Sequence, residues 1–112
     1  MTLKSQIIIN HGVPMKKIPA VHPGEILLEE FIKPYGLTQY KLAKNIGVSQ
    51  MRISEIVNGK RSITTDTSLR LSKYFGLSPS YWIMLQIEYD IDMAMDNHEL
   101  ATTIDKIVPV NA

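Results

Sequence analysis

Three observations predict an all-α fold of five helices. Apolar residues recur at three- and four-residue spacing in five successive stretches between His22 and Asp92. Each stretch is bounded by a residue able to cap a helix start or by a glycine suited to leaving one. Only Lys4 to Asn10 and Thr103 to Val110 alternate at period two, and neither run has a pairing partner in sequence.

The first helix opens at His22-Pro23-Gly24-Glu25, since proline suits the first helical position and Glu25 favours the positive end of the helix dipole. Leu28, Phe31, Ile32 and Tyr35 follow at helical spacing until Pro34 and Gly36 end it. Thr38 caps a short second helix that buries Leu42, Ala43 and Ile46 and stops at Gly47. Ser49 caps a third, with Ile53, Ile56 and Val57 turned inward and Asn58-Gly59 giving a left-handed exit. Thr64 or Thr65 caps a fourth, in which Leu71, Tyr74 and Phe75 face in and Gly76 closes. Ser78-Pro79 opens the fifth and longest. Its apolar residues form two stripes, Trp82, Leu85 and Tyr89 beside Met84, Ile87 and Ile91, which is more than one packing face requires.

With 112 residues and 45% hydrophobic content, the chain suits one domain with a modest core. It has no cysteine, which removes disulfides and thiolate metal sites and makes the cytoplasm the default location. No apolar run approaches the roughly 20 residues of a membrane span, and no leader peptide is visible, so no membrane partner is expected. The formal net charge of +1 hides a segregation. Residues 16–61 carry eight bases (Lys16, Lys17, Lys33, Lys41, Lys44, Arg52, Lys60, Arg61) against four acids (Glu25, Glu29, Glu30, Glu55). Residues 62–112 carry three bases (Arg70, Lys73, Lys106) against seven acids (Asp66, Glu88, Asp90, Asp92, Asp96, Glu99, Asp105). A basic first half facing a polyanion is the reading this pattern favours.

Helices two and three are separated by little more than Gly47 and Val48, which fits a helix-turn-helix unit. In that geometry Gln50, Met51 and Arg52 sit where such a helix enters the DNA major groove, while Ile53, Ile56 and Val57 hold it to the body. The amides of Gln39 and Gln50 match adenine edges or phosphate oxygens, Arg52 reads guanine or clamps a phosphate, and Met51 presses on a thymine methyl. Glu55 accepts from cytosine or holds Arg52 through an i,i+3 pair, the second being favoured because an acid near phosphates is otherwise unfavourable. Lys60 and Arg61, just past the helix, are placed to grip the backbone.

From His22 to about Asp92 the chain resembles the HigA-type antitoxins, also called virulence-associated protein I, within the Xre/Cro superfamily. The matching segments are HPGEILLEEF (22–31), LTQYKLAKNIGVS (37–49), ISEIVNGKRSIT (53–64) and LRLSKYFGLSPSYWIMLQIEYD (69–90). The resemblance implies a five-helix, lambda-repressor-like DNA-binding domain with short N- and C-terminal extensions. It also implies a dimeric repressor of its own operator that neutralises a co-encoded RelE-like messenger RNA endonuclease, commonly HigB. Carried over by position, Gln50, Met51 and Glu55 are base-facing, Thr38, Gln39, Arg52, Asn58, Lys60 and Arg61 are backbone-contacting, and Ser49 joins them at the helix cap. Family members often carry alanine where this chain has Ser68 and Ser72, a departure within helix four.

The expected organisation is an N-terminal extension at residues 1–15, a helix-turn-helix domain at 16–98 including the long fifth helix, and a C-terminal tail at 99–112. Met15 opens a segment much like the start of family members, so translation from Met15 is one expectation; a partner for the β-prone run Gln6 to Asn10 is the other. One reading helix covers too few base pairs for a useful site, so a homodimer on half-sites about one helical turn apart is expected, with the apolar surplus of helix five as its interface.

Other constellations fail. A calcium loop from Asp90 would need glycine sixth and glutamate twelfth, where Met95 and Ala101 stand. His11, His22 and His98 lack ligand partners at useful spacing, Thr38, Ser49 and Ser78 serve as caps, and no phosphate-binding glycine loop is present, so neither a cofactor nor an enzyme activity is expected. Two further readings remain: a stand-alone Xre-family regulator without a toxin, which shares every DNA-facing residue, and an interaction module that no longer reads DNA. The second is disfavoured by Gln39, Gln50, Arg52, Lys60 and Arg61.

Overall fold

His22 starts the first helix as the sequence predicts: its Nδ1 accepts the Gly24 N–H at 2.9 Å. The computed structural model describes residues 20–111, and every regular element among them is helical. The expected extension at 1–15, with Gln6 to Asn10 and Met15, lies outside the described residues. Six helices follow in order: α1 (Pro23–Leu27), which continues as a π-helical turn (Leu28–Ile32), α2 (Gln39–Ile46), α3 (Gln50–Val57), α4 (Thr65–Phe75), α5 (Tyr81–Met95) and α6 (His98–Asp105).

The core joins Ile26, Leu27 and Ile32 of the first helix to Leu42, Ala43 and Ile46 of α2, Ile53 and Ile56 of α3, Ile63, Leu71 and Trp82. At eight residues α3 is too short to persist alone, so it depends on this packing. Complete burial of Ile53 and Ile56 contributes roughly 1.5–3 kcal/mol each. The helix lies chiefly against α2 and α1, and α4 lies against α5 and α2. In the π turn Lys33 N–H reaches the Leu28 carbonyl at 3.0 Å, and Phe31 meets Phe75 and Trp82 with ring centroids 4.9 Å away in each case.

Several expectations are corrected. Tyr35 follows the π turn rather than lying on the helix, and stays exposed with its ring beside Phe75. Tyr74 does not face the core; it is exposed, and its hydroxyl accepts from Asn45 Nδ2 at 3.1 Å. The buried face of α4 is Leu71, as expected, with Thr67, Ser68 and Ser72, small residues on a helix that packs against α5. Ser68 Oγ donates to the Pro79 carbonyl and accepts the Ile83 N–H, both at 3.0 Å. Ser72 Oγ and Trp82 Nε1 are buried without a hydrogen-bond partner among the described residues.

The expected cap at Ser78 is also displaced. Ser78-Pro79 forms a turn, Tyr81 N–H bonds the Ser78 carbonyl at 3.1 Å, and α5 begins without a side-chain cap from its own Ser80; Ser68 Oγ, from α4, accepts the N–H of Ile83 in its first turn instead. The alternating run from Thr103 is helical as far as Asp105, since Asn97 Oδ1 caps α6 by accepting Leu100 N–H at 3.0 Å. Met84, Ile87 and Ile91 remain 52%, 42% and 55% exposed, so one of the two stripes on α5 is bare.

Candidate nucleic-acid interface

α2 ends on Gly47, whose φ of +76° only glycine adopts without strain; the Gly47 and Val48 N–H groups both return to the Ala43 carbonyl, at 2.9 and 3.0 Å. The chain then turns into α3, where Ser49 Oγ accepts the Arg52 N–H at 3.1 Å. Thr38 Oγ1 does the same for Lys41 N–H at 3.0 Å, so both helices of the unit start on the caps the sequence predicts. Asn58 N–H bonds the Ser54 carbonyl, and Gly59 at φ +74° turns the chain away.

This scaffold leaves a polar tip. Gln50 is exposed and Met51 is 67% exposed at the start of α3, while Ile53 and Ile56 on its other side are fully buried. Thr38 is exposed and Gln39 half-buried at the start of α2; Ser49, Asn58, Lys60 and Arg61 are exposed around α3. Lys60 makes no ion pair among the described residues.

The charged side chains are arranged differently from what spacing predicts. The favoured Arg52–Glu55 pair is absent. Glu55 is taken by Arg61, whose Nη2 and Nε lie 2.6 and 2.7 Å from Glu55 Oε1. Arg52 turns toward α4, where its Nη1 meets Asp66 Oδ2 at 3.1 Å and Thr67 Oγ1 at 3.4 Å. The same Asp66 oxygen accepts from Arg70 Nε at 3.0 Å, and Arg70 Nη1 donates to the carbonyls of Ile46 and Gly47 at 2.8 and 3.3 Å. The hydrogen bond from Arg70 is the foremost cause that holds the Asp66 carboxyl below its ordinary range.

Sequence reasoning does not single out Asp66 and Arg70. Their i,i+4 spacing is visible there, but what they hold is not, because the elbow carbonyls lie 23 and 24 residues away. Gln86 carries no sequence signal either. It is buried, accepts the Ile63 N–H at 2.8 Å and donates to Asp90 Oδ1 at 2.9 Å, which ties the exit loop of α3 to α5. No group of three potential metal ligands occurs among the described residues, and no helix there is long and apolar enough to cross a membrane.

Two capped helices set by a glycine elbow, the second presenting a polar tip and burying its opposite side, define the helix-turn-helix class. Residues 28–82 match the helix-turn-helix family model. The chain is 46% identical over 95 residues to virulence-associated protein I of Dichelobacter nodosus, with 85% of each chain covered. It superposes with a TM-score of 0.75 on an addiction module antidote protein of the HigA family from Coxiella burnetii, at 40% identity over 82% of this chain and 99% of that one. The Pseudomonas aeruginosa antitoxin HigA, solved with the higBA promoter, gives a TM-score of 0.75 at 33% identity over 81% and 98%. The chain belongs to this family of helix-turn-helix proteins, which includes virulence-associated protein I and the HigA antitoxins.

Proposed function

We propose that this protein is a sequence-specific DNA-binding autorepressor and the antitoxin of a toxin–antitoxin pair, acting in the cytoplasm as a homodimer. The observation that carries the reading is the tip of α3: Gln50 and Met51 project unburied from a helix held rigidly by Ile53, Ile56 and the Ser49 cap. An amide and a thioether there suit an adenine edge and a thymine methyl in the major groove. Lys60, Asn58, Thr38 and Gln39 border the tip and suit phosphates, which fix register without reading sequence. The relative solved with a promoter supports this use of the fold.

The bare stripe Met84, Ile87 and Ile91 is the dimer surface in this reading, and two copies related by a two-fold axis present two reading helices to a palindrome. The toxin is a HigB- or RelE-like messenger RNA endonuclease whose basic RNA cleft complements the acidic second half of the chain. The DNA upstream of the protein's own gene should be shifted in a gel at concentrations where a scrambled duplex is not. Gln50→Ala with Met51→Ala should reduce that preference by about tenfold or more, while rescue of cells from the neighbouring gene's product persists. A wild-type protein indifferent to duplex sequence ends the DNA reading. Loss of rescue in the tip variant ends the division into two surfaces, and a neighbouring gene whose product is harmless makes the protein a stand-alone regulator.

A further inference from the structure

Asp66 is an anomaly on a surface meant for DNA. It is an exposed carboxylate lying 3.1 Å from an arginine in the first turn of the reading helix, where a free negative charge would repel phosphates. Solvent-exposed ion pairs contribute little to folding, so stability is a poor reason for it. Its connections supply a better one. A single oxygen, Asp66 Oδ2, joins Arg52 of α3 to Arg70 of α4, and Arg70 in turn holds the Ile46 and Gly47 carbonyls at the elbow. A Cβ at Gly47 would stand only 3.1 Å from Arg70 Nη1, so the guanidinium sits directly on the turn. Elsewhere α3 leans chiefly on α2 and α1, and this network ties it to α4.

We infer that Asp66 and Arg70 are positioning residues for DNA reading, and that Arg52 serves as the third member of their clamp instead of contacting the duplex. The inference rests on the DNA-binding reading and refines it. The clamp fixes the direction in which Gln50 and Met51 leave the body: Arg70 sets the elbow, and Asp66 transmits that setting to the first turn of α3. Arg52 is withdrawn from the groove because its guanidinium is engaged by Asp66 and Thr67.

The test measures binding of the full chain to two fluorescent duplexes, the DNA upstream of its own gene and a scrambled duplex of equal length, across a salt series. The clamp predicts that Asp66→Ala lowers the preference for the first duplex by about tenfold, as the loss of one well-made base contact does. Asp66→Asn, which keeps an acceptor oxygen, should lose less. Arg52→Ala should leave the salt slope unchanged, and the double variant Arg52→Ala/Asp66→Ala should be no worse than either single one. If Asp66 were only a misplaced charge, both Asp66 variants would tighten binding to both duplexes, and the inference would be overturned. If Arg52 gripped a phosphate, Arg52→Ala would remove two phosphate contacts from a bound homodimer, flatten the salt slope by about 1.8 and weaken both duplexes alike, which would overturn it equally. Amide hydrogen exchange of the free proteins separates this from failure of the DNA reading, since it needs no duplex. Faster exchange at Val48 and Ile53 in Asp66→Ala, with the core amides of Leu42 and Ile56 unchanged, supports the clamp, and unaltered exchange at all four refutes it.

Discussion

Replacing Gly24 by alanine tests how the reading helix is held from behind. Gly24 is buried where α1 crosses the end of α3, and an added Cβ would lie against the Ile56 carbonyl oxygen, 2.5 Å from its carbon and 3.0 Å from the Val57 Cα. All three are backbone atoms of the reading-helix end, so no rotamer change relieves the collision; one helix must move off the other. Overpacking of this kind costs about 3 kcal/mol, the upper part of the usual range for inserted methyl groups. Alanine's better helix propensity returns at most about 1 kcal/mol. The net loss is then about 2 kcal/mol, a fall in melting temperature of about 8–16 °C for a domain of this size. Thermal and urea unfolding followed by far-UV circular dichroism measure it, and the same variant should lose preference for its upstream DNA because α3 is tilted. A Gly24→Ala protein that melts within about 2 °C of the parent would show that α1 does not support α3 at this crossing.

The two serines of α4 should behave oppositely: Ser72→Ala removes a buried hydroxyl that has no partner among the described residues and should stabilise by about 1 kcal/mol, whereas Ser68→Ala orphans the Ile83 N–H and should cost about 1–3 kcal/mol. Equal shifts in the urea midpoint would contradict this. His22 makes stability depend on pH. Burial, opposed by the Asp90 charge, lowers its pKa below 6.5, and only the neutral ring can accept the Gly24 N–H through Nδ1. The unfolded chain therefore binds the proton more readily, so the contribution is complete above about pH 6.5 and is lost as pH falls through the lower folded value. His22→Asn, which keeps a cap acceptor, should flatten the difference in melting temperature between pH 5 and 7.5; an unchanged difference would assign it to other groups.

Most of the local chemistry is legible in the sequence, the starts of α5 and α6 excepted, and tertiary pairing is not. The caps at His22, Thr38, Ser49 and Thr64 and the glycine exits at Gly47, Gly59 and Gly76 involve atoms only a few residues apart, and all of them are where the residue types indicate. The inward set Ile53 and Ile56 follows from helical spacing. Arg52 is misassigned by spacing because two acids are within its reach, Glu55 three residues away and Asp66 fourteen; position along the helix favours the first, but the packing of α4 delivers the second. Tyr74 is expected inside because it is apolar and periodic, yet it lies off the buried face of α4, where its hydroxyl accepts from Asn45 of α2. Helix α6 is hidden by the alternation of Thr103, Ile104 and Asp105, whereas its start is determined by Asn97.

Gln86 places an amide in the middle of a helix whose neighbours at 84 and 87 are bare and apolar, and uses it to grip Ile63 at the foot of the loop bearing Lys60. Through that hydrogen bond the surface that would join two copies is tied to the segment that would follow the duplex. If two copies pair there, that tie makes half-site spacing matter as the gap between a calliper's jaws does: one base pair added between half-sites turns them by about a tenth of a revolution relative to each other.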